Sequence, residues 1–148
     1  MAKIIVSACL LGLNCRYDGK NCLNEKIREL SKKHTLIAVC PEQMGGLSTP
    51  REPSEIVDEK LINKAGIDVT KQYHKGALMA YDIAKLNDCR YAILKSKSPS
   101  CGKGMIYDGS FSGQMTNGNG VTVSLFEKND ITVFSDQELD ELIKQISD

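Results

Sequence analysis

Lys3-Ile4-Ile5-Val6-Ser7-Ala8, followed at once by Cys9, is the stretch that decides the architecture. The run is β-branched and has no internal breaker, which suits a central strand of a sheet covered on both faces. Parallel neighbours of such a strand need crossover connections, usually helical. The apolar run ahead of Cys9 is far shorter than the roughly 7–15 residues of an export signal. Val6-Ser7-Ala8-Cys9 therefore reads as a strand end and turn rather than a lipoprotein cleavage box. The expected location is the cytoplasm, where the six cysteines are reduced, metal-bound or catalytic rather than paired.

Working outward, strands and helices alternate. Asn24 to Lys33 reads as a helix with Ile27 and Leu30 on one side. Thr35 to Cys40 is a second buried strand, stopped by Pro41, and Glu42 to Pro53 reads as a loop. Ile56-Val57 and Lys60-Leu61-Ile62 flank an Asp58-Glu59 turn, the pattern of a small hairpin. A helix starting at Asp68 or Thr70 runs to about Leu86, with Ala77, Leu78, Ala80, Tyr81 and Ala84 as its core stripe. Tyr91 to Lys95 is the third strand, and a glycine- and serine-rich segment runs from Ser96 to Gly120. Val121 to Lys128 reads as helix or strand by composition, and a helix suits its place between two strands. Ile131 to Phe134 is the fourth strand. Ser135 and Glu138 form a capping box ahead of a last helix carrying Leu139, Leu142, Ile143 and Ile146. The whole predicts one α/β domain over residues 1–148, a Rossmann-like three-layer sandwich. Its mostly parallel sheet has about four strands, with helices on both faces.

Composition narrows the function. The chain has 148 residues, with 19 basic and 19 acidic side chains and no tryptophan. Net neutrality argues against a protein that holds duplex DNA by counterion release, which needs a basic face, and leaves room for a local basic pocket. A small substrate fits better than RNA. No apolar run approaches the roughly 20 residues that cross a bilayer.

In an open parallel sheet, ligands collect beyond the carboxyl ends of the strands. Cys9 follows the first strand, Cys40 closes the second, and Cys101 lies in the loop after the third. Cys89 precedes the third strand and belongs at the opposite edge, whereas Cys15 and Cys22 in the first loop can approach Cys9. Three converging thiols suit a soft metal centre. Zinc takes a fourth ligand, for which Cys15, Cys22 and His34 are candidates. An iron–sulfur cluster with three cysteines keeps one iron open. Buried structural thiols are the plain alternative. Cys40-Pro41-Glu42 and Lys95-Ser96-Lys97-Ser98-Pro99-Ser100-Cys101 put a carboxylate, hydroxyls and ammonium groups beside these thiols.

Several ordered motifs resemble one family. Ser7-Ala8-Cys9-Leu10-Leu11-Gly12, Cys15-Arg16-Tyr17-Asp18-Gly19, Cys40 to Leu47, Pro50-Arg51 and Lys95 to Gly102 are similar to the thiouracil desulfurases, as are Tyr107-Asp108-Gly109 and Phe111-Ser112-Gly113. The resemblance implies a [4Fe-4S] cluster on three cysteines, matching Cys9, Cys40 and Cys101, with Cys15 as the alternative to Cys9. It implies a catalytic glutamate at Glu42, a catalytic serine at Ser98, and removal of sulfur from a thiolated uracil or its nucleoside or nucleotide as sulfide. In that scheme the open iron is a Lewis acid for the thiocarbonyl sulfur. Glu42 activates water, and Ser98 orients it or shuttles a proton. Arg51, Lys95, Ser96 and Ser100 are candidate holders of carbonyl or phosphate groups. The rival readings are a non-catalytic zinc module and a sulfur carrier using Cys15 or Cys22.

Overall fold

A computed structural model describes residues 1–147. Strand β1 (Lys3–Ser7) pairs in parallel with β2 (Thr35–Val39) and with β5 (Tyr91–Leu94), and β5 pairs in parallel with β8 (Thr132–Ser135). The spatial order β2-β1-β5-β8 makes β1 the point where the winding reverses. After β2 the chain returns past β1 to add β5 and β8 on its other side. In such sheets the crevice opens at the carboxyl ends of the strands flanking that reversal.

Side chains alternate across the sheet and build a core on each face. Ile5, Val39, Ala92, Leu94 and Val133 pack against Ala80 and Ala84 of helix α3 (Thr70–Leu86) and Val123 and Phe126 of α4 (Val121–Lys128). Ile4, Val6, Ile93 and Phe134 face Ile27 of α1 (Glu25–Glu29) and Leu139 and Leu142 of α5 (Leu139–Ile146). Ile4, Ile5 and Val6 are fully buried, each contributing about 1.5–3 kcal/mol by leaving water. The three-layer α/β arrangement is as the sequence predicts.

Local differences have physical causes. Helix α1 is short and passes into a 3-10 turn over Leu30–Lys32, while Asn24 caps it by accepting from the Lys26 and Ile27 amides. The β-branched Val121-Thr122-Val123 is helical because it bridges parallel β5 and β8, burying Val123 and Phe126. The expected hairpin is present as β3 (Ser54–Val57) and β4 (Lys60–Asn63). Asp58 and Glu59 at its turn have φ of 49° and 66°, as a type I′ turn requires. The Ser135–Glu138 pair forms, with the Ser135 amide donating to Glu138 at 3.0 Å, but α5 begins only at Leu139.

Two segments read as loops contain structure. Pro41–Met44 is a single-turn helix, α2, with Cys40 at its N-cap and Pro41 in its first turn. It lies on α3 backbone to backbone. A Cβ on Gly76 would sit 1.7 Å from the Pro41 carbonyl oxygen, and one on Gly45 1.9 Å from that of Gln72. The 96–120 segment carries an antiparallel ribbon, β6 (Met105–Tyr107) with β7 (Met115–Asn117), anchored by buried Ile106.

Candidate active site

A cavity of about 400 Å³ opens at the carboxyl edge of β1, β2 and β5. Its wall includes Cys9, Cys15, Cys40 and Cys101, together with Glu42, Ser98, Arg51, Lys95 and Ser96. Each strand end delivers one part. Cys9 sits in the 3-10 turn Ala8–Leu11 directly after β1, Cys40 between β2 and α2, and Cys101 in the loop after β5. Ser7 closes β1 and accepts from the Lys95 amide at 2.9 Å, tying the ends of β1 and β5 together.

Of the remaining cysteines, Cys89 is away from the cavity as the strand reading predicts, whereas Cys22, expected to approach Cys9 along with Cys15, is not in the wall. Cys89 is buried in the core beneath α3 and α4 and is absent from the cavity wall. Cys22 lies outside the wall and accepts from Arg16 Nη1 at 2.7 Å. His34 precedes β2, at the opposite edge, where its Nδ1 accepts from the Ala2 amide. That position removes it from the metal-ligand candidates.

Glu42 is held from three sides. Oε1 accepts from Arg51 Nε at 3.0 Å and from the Tyr73 hydroxyl at 2.8 Å. Oε2 faces the Ser98 hydroxyl at 3.4 Å. Ser98 Oγ in turn accepts from the Ser100 and Cys101 amides at 3.0 and 3.1 Å. Two acceptor positions on that oxygen are thus filled, and its proton points at Glu42. One carboxylate oxygen is fixed, and the other shares a proton path with a polarised hydroxyl.

The other candidates have different work. Arg51 bonds Glu42, the Ser48 and Cys15 carbonyls and Thr49 Oγ1. These contacts occupy most of its five N–H donors, so it clamps the wall rather than reaching for a substrate phosphate. Lys95 lies 3.9 Å from Asp136 and donates to Ser96 Oγ at 3.2 Å. Ser100 is fully buried behind the wall, with its hydroxyl 2.7 Å from Thr122 Oγ1, so substrate contact is sterically closed to it.

Three of the cavity thiols, Cys15, Cys40 and Cys101, are pushed above the usual thiol range. For Cys15 the Cys40 hydrogen bond pulls the pKa down, but that of Cys9 and burial outweigh it, pushing it up to about 11. The bond to Cys15, and then burial, push Cys40 well above the usual thiol range. Burial pushes Cys101 up to about 12, against hydrogen bonds with Ser7 and Ser100. Burial and the adjacent Glu42 carboxylate likewise hold Tyr73 protonated, as a donor must be.

Several soft thiols on one wall fit a thiolate-ligated metal centre. Among the described residues no three His, Cys, Asp or Glu side chains converge on a single point as one ion needs. Thiols on one wall also suit an iron–sulfur cluster, in which each cysteine binds a different iron.

Fold and site together define a doubly wound α/β protein with a thiol-lined pocket at its winding reversal. The family described as 2-thiouracil desulfurase matches residues 4–138. The chain belongs to that family. It is 41% identical over 150 residues to protein YbbK of Bacillus subtilis (strain 168), covering 95% of this chain and 99% of YbbK. It is also similar to the solved structure of a [4Fe-4S]-dependent thiouracil desulfidase, TudS. The identity is 42% and the TM-score 0.95, with 99% of each chain covered.

Sequence reasoning missed Tyr73, which belongs to the apolar stripe of α3. It also missed the aromatic side chains Tyr17, Tyr107 and Phe111 in the cavity wall. Helical spacing announces burial of Tyr73 but not the partner of its hydroxyl.

Proposed function

We propose that this protein is an iron–sulfur-dependent desulfidase that hydrolyses the thiocarbonyl of a thiolated uracil, as free base, nucleoside or nucleotide. The products are the uracil-type carbonyl compound and sulfide. The carrying observation is that three strand-end thiols and the Glu42–Ser98 pair share one cavity. Cys9, Cys40 and Cys101 would hold a [4Fe-4S] cluster; the TudS likeness supports a cluster of that kind, and the place of these thiols at the strand ends supports the choice of ligands. When bound, such a cluster supplies a Lewis acid with one iron not taken by a cysteine, suited to a soft sulfur ligand.

The chain's own groups handle water and protons. Glu42 Oε2 takes a proton from the attacking water, while Arg51 and Tyr73 keep Oε1 fixed so that the base does not rotate. Ser98 donates to Oε2 and orients it, its own oxygen held by two backbone N–H groups, and the proton taken by Glu42 returns to the departing sulfur. Water contributes the oxygen, sulfur departs as hydrosulfide, and no electron is gained or lost. Reduced thiols suit the cytoplasm. The neutral chain suits a small substrate.

The test is sulfide release from a panel of thiolated uracils, uridines and nucleotides by anaerobically reconstituted protein. Release from at least one, matched by carbonyl product, is expected. Reconstituted protein with full iron content and no release from any of them would overturn the reading.

A further inference from the structure

The turn after β6 is held in an unusual way. Gly109 and Phe111 both donate their amides to one oxygen of Glu55, at 2.9 and 3.1 Å. Glu55 lies on β3 and is only 8% exposed. A buried carboxylate is costly unless its charge is met, and here two charge-assisted bonds to backbone N–H groups meet it. The turn is also pressed onto β3, since a Cβ on Gly109 would come within 2.6 Å of the Ile56 carbonyl oxygen. Phe111 itself has φ +55°, a left-handed conformation that bulky side chains rarely adopt. Such residues persist where surroundings enforce them, and they cluster at ligand sites. Phe111 is half-buried and lines the same cavity as Glu42 and Ser98, on the side built by the ribbon.

We propose that Phe111 is the stacking wall for the pyrimidine ring, and that Glu55 is a positioning residue that forces Phe111 into the cavity by gripping its turn. A flat aromatic face reads the π-surface of a planar ring and tolerates substituents at its edge. It therefore selects an unsaturated pyrimidine over a puckered one. This rests on the reading that the cavity takes a thiolated uracil, and it adds which group recognises the ring.

The test compares binding of uracil with binding of 5,6-dihydrouracil. The two share hydrogen-bonding edges, but only uracil is planar and unsaturated. Titration calorimetry on anaerobically reconstituted protein measures both without requiring turnover. Loss of sulfide release would sink the desulfidase reading, whereas this contrast addresses the stacking wall alone. Wild type is expected to prefer uracil. Phe111→Leu should weaken uracil roughly tenfold, within the range of base–aromatic stacking, and leave dihydrouracil within about twofold. Phe111→Tyr should restore uracil binding. Glu55→Ala should behave as Phe111→Leu, with iron content and circular dichroism unchanged. Where Glu55→Ala is unfolded, Glu55→Gln carries the test with a smaller shift in the same direction. Equal loss for both ligands in Phe111→Leu, or no loss for either, overturns the stacking wall. Unchanged uracil binding in a folded Glu55 variant overturns the positioning role.

Discussion

Gly76→Ala tests whether the α2–α3 contact sets the site. Two effects oppose each other. Alanine in a helix interior is favoured over glycine by about 1 kcal/mol. Against that, the new methyl would lie 1.7 Å from the Pro41 oxygen and 2.7 Å from its carbonyl carbon, whereas ordinary contact begins at 3.4 Å. The obstacle is backbone, so no rotamer relieves it, and roughly 1.5–2 Å of separation has to open between the helices. Overpacking of this kind costs about 1–3 kcal/mol, so a net loss of stability is expected. The functional effect is larger. Pro41 lies between Cys40 and Glu42, so the displacement moves both a thiol and the proposed base. A misplacement of about 1 Å lowers rate about a hundredfold. Urea unfolding, iron content and sulfide release per reconstituted iron give the three readings. Lys75→Ala, at an exposed neighbour on the same helix, is the control and should match wild type in all three. If Gly76→Ala keeps wild-type stability and turnover, close approach of α2 to α3 does not position Glu42.

Other substitutions separate the parts of the site. Tyr73→Phe removes one of two donors to Glu42 Oε1. It should lower kcat about tenfold to a hundredfold, as loss of a charge-assisted bond implies, with KM and iron content nearly unchanged. Ser100→Ala leaves the buried Thr122 hydroxyl without its partner and should cost about 1–3 kcal/mol in urea unfolding, while turnover per folded molecule stays at wild-type level. Cys9→Ala, Cys40→Ala and Cys101→Ala should each lose iron on anaerobic reconstitution, whereas Cys89→Ala should retain it, as iron analysis would report. For Glu138, burial raises the carboxyl pKa, but the Ser135 amide and Lys103 outweigh it and hold it below the usual range. A depressed folded value contributes stability above the ordinary carboxylate pKa, and that contribution is lost as pH falls through the folded value. The urea midpoint should therefore decline below the ordinary glutamate value, about pH 4.3, and decline less steeply in Lys103→Met.

Much of the thiol edge was legible because Cys9, Cys40 and Cys89 flank strands whose apolar runs can be read alone, and Cys101 lies in the loop that leaves β5. Cys9, Cys40 and Cys101 follow strands and line the cavity, while Cys89 precedes one and does not. What escaped was short or tertiary. Helix α2 spans Pro41–Met44, too few residues to display a helical period. The ribbon strands are three residues each in a glycine- and serine-rich stretch. Ser100 and Ser98 look alike in sequence, yet one hydroxyl meets Thr122 and the other Glu42. Arg51 reads as an exposed loop cation until Glu42, nine residues earlier, turns back beside it.

The provenance of the cavity wall has an evolutionary consequence. Cys9, Cys40 and Cys101 stand at or near the ends of core strands, whereas the hairpin β3–β4 and the ribbon β6–β7 are insertions within crossover connections. Insertions between core elements can be lengthened, trimmed or exchanged at small thermodynamic cost. Selection can therefore retune the mouth while the thiol floor stays fixed by the sheet. Grafting a ribbon from a divergent family member onto this scaffold is the corresponding engineering route, altering the proposed ring contact at Phe111 while the strand-end thiols stay in place.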